Sequence, residues 1–189
     1  MNQHQAKGRL VVLSGPSGVG KDTVLEQLVR DKPSWQRVGG YTTRPRRPGE
    51  LDGREYSFVD IATFQEMEAG KQFLETALVH GNHYGTSRTQ VEQLLAQGQD
   101  VLLKLDVQGA RQLREAGVEA VFIFLAPPSR EVLLERLRRR ETESADELAR
   151  RSADADRELA EAHWYHHVVV NDDVARAASE VAAILEGPS

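Results

Sequence analysis

The sequence predicts an α/β fold in which a parallel sheet is flanked by helices. Three observations carry this reading. Short, continuous, β-rich apolar runs at Leu10–Leu13, Val101–Leu105 and Val121–Leu125 suit strands buried on both faces. Segments of helical period lie between and after them, and such alternation builds parallel sheets. A glycine-rich loop stands directly between the first strand and the first helix.

Along the chain, Leu10–Leu13 is bounded by glycine and serine, and the glycine-rich loop leads into a helix over Thr23–Arg30. From about Pro33 to Gly85 the rhythm breaks. Glycine, proline, arginine and tyrosine replace apolar helix periods, so this stretch is read as an inserted subdomain. The alternation resumes with helices over Thr89–Gln97, Gly109–Glu115 and Arg130–Arg140, set around the second and third strands. Arg136 to Arg157 is so dense in arginine and glutamate that it reads as a solvated helical flap. A helix over Ala145–His163, a buried strand ending at Val-Asn-Asp-Asp and a helix over Val174–Leu185 complete the chain.

Composition limits what such a fold can serve. The 189 residues, 40% of them apolar, suffice for one domain with insertions. With 29 acidic against 24 basic residues the net charge is -5, which argues against a nucleic-acid binder and requires any anion site to be locally basic. The absence of cysteine excludes disulfides, thiolate metal sites and a cysteine nucleophile, and fits a reducing cytoplasm. The opening MNQHQAKGR has no apolar signal core, and runs such as Val121–Ala126 fall far short of the roughly 18 residues of a span, so no membrane association is expected.

The loop itself is Gly15-Pro16-Ser17-Gly18-Val19-Gly20-Lys21-Asp22-Thr23, a GxxxxGK pattern in its required strand-loop-helix setting. Its glycines let backbone N–H groups converge on phosphate oxygens. Lys21 supplies a point charge for the outer phosphates, and the following helix turns its positive end to the same anion. These features predict a P-loop. The hydroxyl that usually follows the lysine is replaced by Asp22 and falls one place later, at Thr23; Asp22 also suits a helix start.

Further motifs follow in order: TTRPRRPGE at 42–50, DGREY at 52–56, Glu75, GNHYGTS at 81–87, LDVQG at 105–109 and VNDD at 170–173. Set around GPSGVGK, they closely resemble the guanylate kinases, which phosphorylate GMP with ATP and magnesium. The resemblance runs from about Arg9 to Ile184. It implies a P-loop NTPase-type core at 8–35, 86–135 and 158–189, a GMP-binding insertion at 36–85 and a helical lid at 136–157.

The chemistry of the same residues agrees. Arg44 and Arg47 can fork a monophosphate, and Tyr56 and Tyr84 can add phenolic donors. Glu75 can accept from the N1–H and amino group of guanine, Thr86 can donate to O6, and adenine presents the opposite pattern. The resemblance adds Asp106 to the GMP site. It places Arg136, Arg140 and Arg151 among lid arginines that act with Lys21, Arg44 and Arg47 in catalysis, and Asn171 beside the adenine. It also implies a magnesium ion held mainly by the ATP phosphates, with Thr23 or Asp22 as candidate protein oxygens. Besides Asp22, three positions depart from the family pattern. Gly40 replaces a serine at the acceptor phosphate, where Tyr41 or Thr42 could substitute; Lys104 replaces the first aspartate of DxDxQG; Glu141 replaces a glycine of the lid.

Two other readings are set beside this one: a P-loop kinase of another phosphorylated small molecule, such as a sugar phosphate, and a non-catalytic protein-binding module of the same ancestry. Intact Glu75, Tyr84 and Thr86 weigh against the first, and intact Lys21 against the second. His163, His166 and His167 have metal-compatible spacing but no supporting carboxylate motif, and Trp35 and Trp164 are read as packing residues.

Overall fold

A computed structural model describes residues 7–54, 56–79, 81–138 and 145–187, with the side chains of 145–151 outside the description. In chain order the elements are β1 (Leu10–Ser14), α1 (Lys21–Asp31), β2 (Gln36–Arg37), β3 (Gly40–Thr42), β4 (Tyr56–Phe58), α2 (Ile61–Ala69), β5 (Phe73–Val79), β6 (Asn82–Ser87), α3 (Arg88–Ala96), β7 (Val101–Lys104), α4 (Val107–Glu115), β8 (Val121–Ala126), α5 (Arg130–Arg138), α6 (Ala145–Ala160), a 3-10 turn (Glu161–Trp164), β9 (His167–Val170) and α7 (Val174–Glu186). The chain divides into two compact units. One comprises Met1–Leu10, Ser34–Leu103 and Gln108–Ala120; the other comprises Val11–Pro33, Lys104–Val107 and Val121–Ser189.

In the second unit, β1, β8 and β9 form a parallel ladder with Val11 opposite Val121 and Ile123 opposite His167. Every residue of β1 is buried, as its uninterrupted apolar run requires of a strand covered on both faces. Val24, Leu25 and Leu28 form the buried stripe of α1, and α1 packs against α7 through the latter's Ala177, Ala178, Val181 and Leu185. Small alanines at that seam permit close approach of the two helices. Arg130 at the start of α5 grips Asp156 of α6 with Nε and Nη2 at 2.6 and 2.8 Å.

In the first unit, β2 pairs in parallel with β7, and a separate four-stranded sheet has the order β4-β3-β6-β5. Its β3–β4 ladder is parallel, while β3–β6 and β5–β6 are antiparallel. Phe64 of α2, fully buried, stacks on Phe73 at 4.6 Å and closes one face of this sheet. The apolar runs and most helical segments match the expectations closely. Between Pro33 and Gly85 the strands are short, from two residues in β2 to seven in β5, and the segment carries α2, capped by the Asp60 carboxylate accepting from Thr63 N–H at 2.7 Å. The strand before Asn171 is also less buried than expected. As the last strand of its ladder, β9 buries Val169 and leaves Val168 and Val170 exposed. The helix expected to reach His163 ends at Ala160 and tightens into the 3-10 turn.

Candidate active site

The loop after β1 folds as its glycines allow. Gly15 has φ 139°, and a Cβ there would lie 2.3 Å from the Leu125 carbonyl oxygen, so the first turn of the loop can pass β8 only without a side chain. Gly20, at φ 100°, precedes α1, and a Cβ would meet Asn171 Nδ2 at 2.5 Å. The Lys21 ammonium folds back over the loop and donates to the carbonyls of Gly15 and Pro16 at 2.5 and 3.1 Å. Burial draws its pKa down to about 8; Lys104 acts in the same direction, and Glu158, Asp106 and Asp22 oppose it. A cation so placed is poised to regain its full charge when phosphates arrive.

Two residues that sequence reasoning passed over complete this surface. Glu158 of α6 accepts from the Ser17 backbone N–H at 3.2 Å, and burial lifts its pKa above the usual carboxylate range. A loop amide suited to phosphate therefore meets a protein carboxylate in this structure. Tyr165 donates to Ser14 Oγ at 2.9 Å from a buried position stacked on Trp164, which fixes the end of β1 where the loop departs.

Asn171 is buried and serves the loop before any base: its Nδ2 donates to Val19 O at 2.7 Å. Its Oδ1 is buried without a hydrogen-bond partner among the described residues. Arg136 reaches the same place, donating to Val19 O and Asn171 O at 3.1 Å each. Of the other predicted flap arginines, Arg140 and Glu141 lie outside the described residues, and Arg151 is described only as part of α6. Asp22 and Thr23 are exposed in the first turn of α1, and Asp22 Oδ1 is 2.6 Å from Lys104 Nζ. Their oxygens are of the hard type a magnesium ion takes while retaining several waters.

The first unit gathers the other set. Arg44 is buried and forks onto Glu50, with Nη1 to Oε2 at 2.8 Å and Nη2 to Oε1 at 2.5 Å, and its guanidinium lies 5.2 Å from the Tyr56 ring centroid. Tyr56 in turn meets Tyr84 edge to face at 5.7 Å. Arg47 is exposed, and its backbone N–H also donates to Glu50 Oε2 at 2.8 Å. On the neighbouring strands, Glu75 and Thr86 are both buried, and the Thr86 hydroxyl donates to Glu75 Oε1 at 2.6 Å. In this structure the Thr86 hydroxyl is thus turned to the Glu75 carboxylate.

Gly40 stands opposite Thr86 and Tyr56 in register, and a Cβ on it would lie 3.1 Å from Gly85 O and 3.4 Å from the Tyr56 ring. The Tyr56 ring therefore occupies space beside the missing serine. Thr42 is no substitute for that serine, since it is buried and its hydroxyl donates to His83 O at 2.9 Å. His163 and His166 each engage backbone through Nδ1, with Ala160 O at 2.8 Å and Phe122 N–H at 3.2 Å respectively.

Glu50 offers a direct test of the acceptor loop. The Arg44 guanidinium holds its pKa near 2, against an ordinary 4.5, despite opposition from partial burial. A depressed carboxylate pKa stabilises the fold fully above 4.5, and that contribution is lost as pH falls toward 2. Glu50→Gln is therefore expected to lower the melting temperature at neutral pH, and the gap from wild type should close on acidification through this window. A gap independent of pH would show that the ion pair contributes nothing.

A glycine-rich cradle at the carboxyl end of a buried parallel strand, with a lysine folded over it and a helix beginning behind it, defines a P-loop phosphotransferase. The chain belongs to the guanylate kinase family, whose sequence profile matches residues 7–187. It is 47% identical over 182 residues to the guanylate kinase of Symbiobacterium thermophilum, a match covering 96% of this chain and 86% of the relative. With the guanylate kinase of Gloeobacter violaceus it shares 48% identity over 177 residues, or 94% and 86% of the two chains. A crystal structure of guanylate kinase from Anaplasma phagocytophilum matches with a TM-score of 0.81 at 32% identity, covering 96% of this chain and 86% of that one. A shikimate kinase from Bacteroides thetaiotaomicron, at TM-score 0.50 and 15% identity, shares the fold alone. Among the described residues no helix is long and apolar enough to cross a membrane.

Proposed function

We infer that this protein is an ATP-dependent GMP kinase of purine nucleotide metabolism. The observation that carries the reading is a phosphate cradle with its lysine in one unit and, in the other, a buried carboxylate-hydroxyl pair and a buried, pre-paired arginine. An oxygen of the GMP phosphate attacks the γ-phosphorus of ATP, the bond from that phosphorus to the β-γ bridging oxygen breaks, and ADP and GDP result. Such a transfer requires positioned cations more than bases.

The backbone N–H groups over residues 15–23 and the Lys21 ammonium form the ATP phosphate site, and Lys21 neutralises charge on the transferring group. Asn171 holds the loop through Val19 and borders the adenine side. Arg44 and Arg47 take the GMP phosphate with the Tyr56 and Tyr84 hydroxyls. Glu75 accepts from the guanine N1–H and amino group, and the Thr86 hydroxyl, which meets Glu75 in this structure, donates to O6. Asp106 acts electrostatically on Lys21, and the family resemblance assigns it to the binding of GMP. Segment 36–85 serves as the acceptor-binding insertion and 136–157 as the lid, with Arg136, Arg140 and Arg151 turned to the phosphates on closure. Closure excludes water and suppresses hydrolysis of ATP in the absence of acceptor. Magnesium brought in with ATP would supply further charge neutralisation, and Thr23 would be the protein oxygen that holds it, the Asp22 carboxylate being engaged by Lys104. The protein works in the cytoplasm, without nucleic acid or membrane.

The test is coupled ADP release with magnesium ATP and each of GMP, AMP, CMP and UMP. Turnover is expected with GMP well above the others and above the acceptor-free rate. Equal rates with every acceptor, or none with any, would overturn the assignment.

A further inference from the structure

Two charged residues that depart from the family pattern on the ATP side, Lys104 and Asp22, are in contact. Lys104 ends β7, and its Nζ lies 2.6 Å from Oδ1 of Asp22. The lysine side chain is 14% exposed and the aspartate 58%. Leu105, the next residue, donates its N–H to Leu13 O at 3.2 Å, which ties this strand end to the strand that launches the cradle. Asp22 immediately follows Lys21 in the first turn of α1. The positive charge of Lys104 is also near enough to depress the Lys21 pKa.

An ionised aspartate in the first turn of a helix occupies the positive end that a P-loop reserves for phosphate. Left alone, it would repel an incoming triphosphate and compete with it for the same helix terminus. A lysine on its carboxylate removes the net charge and leaves Lys21 to act on the nucleotide. We propose that Lys104 is a positioning residue for ATP, one half of a charge-compensated pair that makes Asp22 tolerable at the head of the phosphate-binding helix. The proposal rests on the reading of the cradle as the ATP site.

The test is a double-mutant cycle on nucleotide affinity, read by isothermal titration calorimetry with ATP, with and without magnesium, on the full chain. Lys104→Met is expected to weaken ATP roughly tenfold, the equivalent of about 1.4 kcal/mol. Asp22→Asn should bind ATP at least as tightly as wild type, and the double variant should recover most of the loss, so that the two effects do not add. The Lys104→Met loss should shrink as salt is raised, since the screening length falls from about 10 Å at 0.1 M to about 3 Å at 1 M and weakens the repulsion between Asp22 and the triphosphate. Adenosine, which lacks phosphate, should bind both forms alike.

Unchanged ATP affinity in Lys104→Met with a lowered melting temperature would make the pair purely structural and overturn the proposal. Additive effects would do the same. If Lys104→Met does not fold, Asp22→Asn decides alone: a loss of affinity, with or without magnesium, would make Asp22 a ligand and sink the idea. Failure of wild type to bind ATP would instead remove the function on which the proposal rests.

Discussion

Lys21→Met is expected to abolish measurable GMP kinase activity, with turnover falling roughly 10³-fold or more while the protein stays folded. The argument is electrostatic. Charge on the transferring phosphoryl group must be met by fixed cations, and Lys21 is held at the mouth of the loop by the carbonyls of Gly15 and Pro16. Its pKa near 8, against an ordinary 10.5, also separates chemistry from stability. A lysine pKa depressed in the native state means that the unfolded chain binds more protons between 8 and 10.5, so the native protein gains stability as pH rises through that window. At neutral pH the buried ammonium therefore works against the fold, and Lys21→Met should melt no lower than wild type. Bound phosphates restore the charge. ATP binding to wild type near pH 8 should take up protons, seen as a dependence of the calorimetric heat on the buffer's ionisation enthalpy, and the methionine variant should show less uptake. Retained turnover in the variant would remove Lys21 from the mechanism.

Glu75→Gln is expected to lower kcat/KM for GMP by roughly 10³-fold or more and to collapse the preference for GMP over AMP. The carboxylate is buried, and one of its oxygens already accepts from Thr86 at 2.6 Å. Guanine presents two donors on its N1 and amino edge, and a carboxylate can accept both. An amide places its own N–H donors toward one of them and leaves a buried donor unpaired, the most effective way a polar site rejects a ligand. The measurement is the ratio of kcat/KM for GMP and AMP in both proteins. Unchanged selectivity would confine Glu75 to a structural role in the β5–β6 sheet.

The parts of this site set by local spacing were open to reading from the sequence. Gly15 to Lys21 must follow a strand and open a helix to work, so seven consecutive residues disclose their own geometry. The ladder strands were legible for a similar reason, since burial on both faces leaves continuous apolar runs. The first unit was readable only as motifs. Strands such as Gly40–Thr42 and Tyr56–Phe58 are three residues long and largely half-buried, too short for an alternation to register. Glu158 was not legible at all. On an amphipathic helix rich in glutamate and arginine, a carboxylate that meets the loop has the same sequence signature as one in water, and only the contact with Ser17 separates them. Lys104 was visible as a departure, but its meaning needed Asp22, 82 positions away, brought to its side.

The Arg44–Glu50 fork bears on the thermodynamics of substrate capture. A free arginine side chain carries about 2 kcal/mol of rotamer entropy, which is lost when it closes on a ligand. Here Glu50 and the Tyr56 ring have already immobilised the guanidinium. The ordering is completed when the chain folds, so on the proposed assignment of Arg44 to the GMP phosphate the nucleotide meets a rigid fork and its association has less disorder to remove. Disturbing Glu50 should accordingly appear as a less favourable entropy of GMP binding, even where the contacts of the bound state are unchanged.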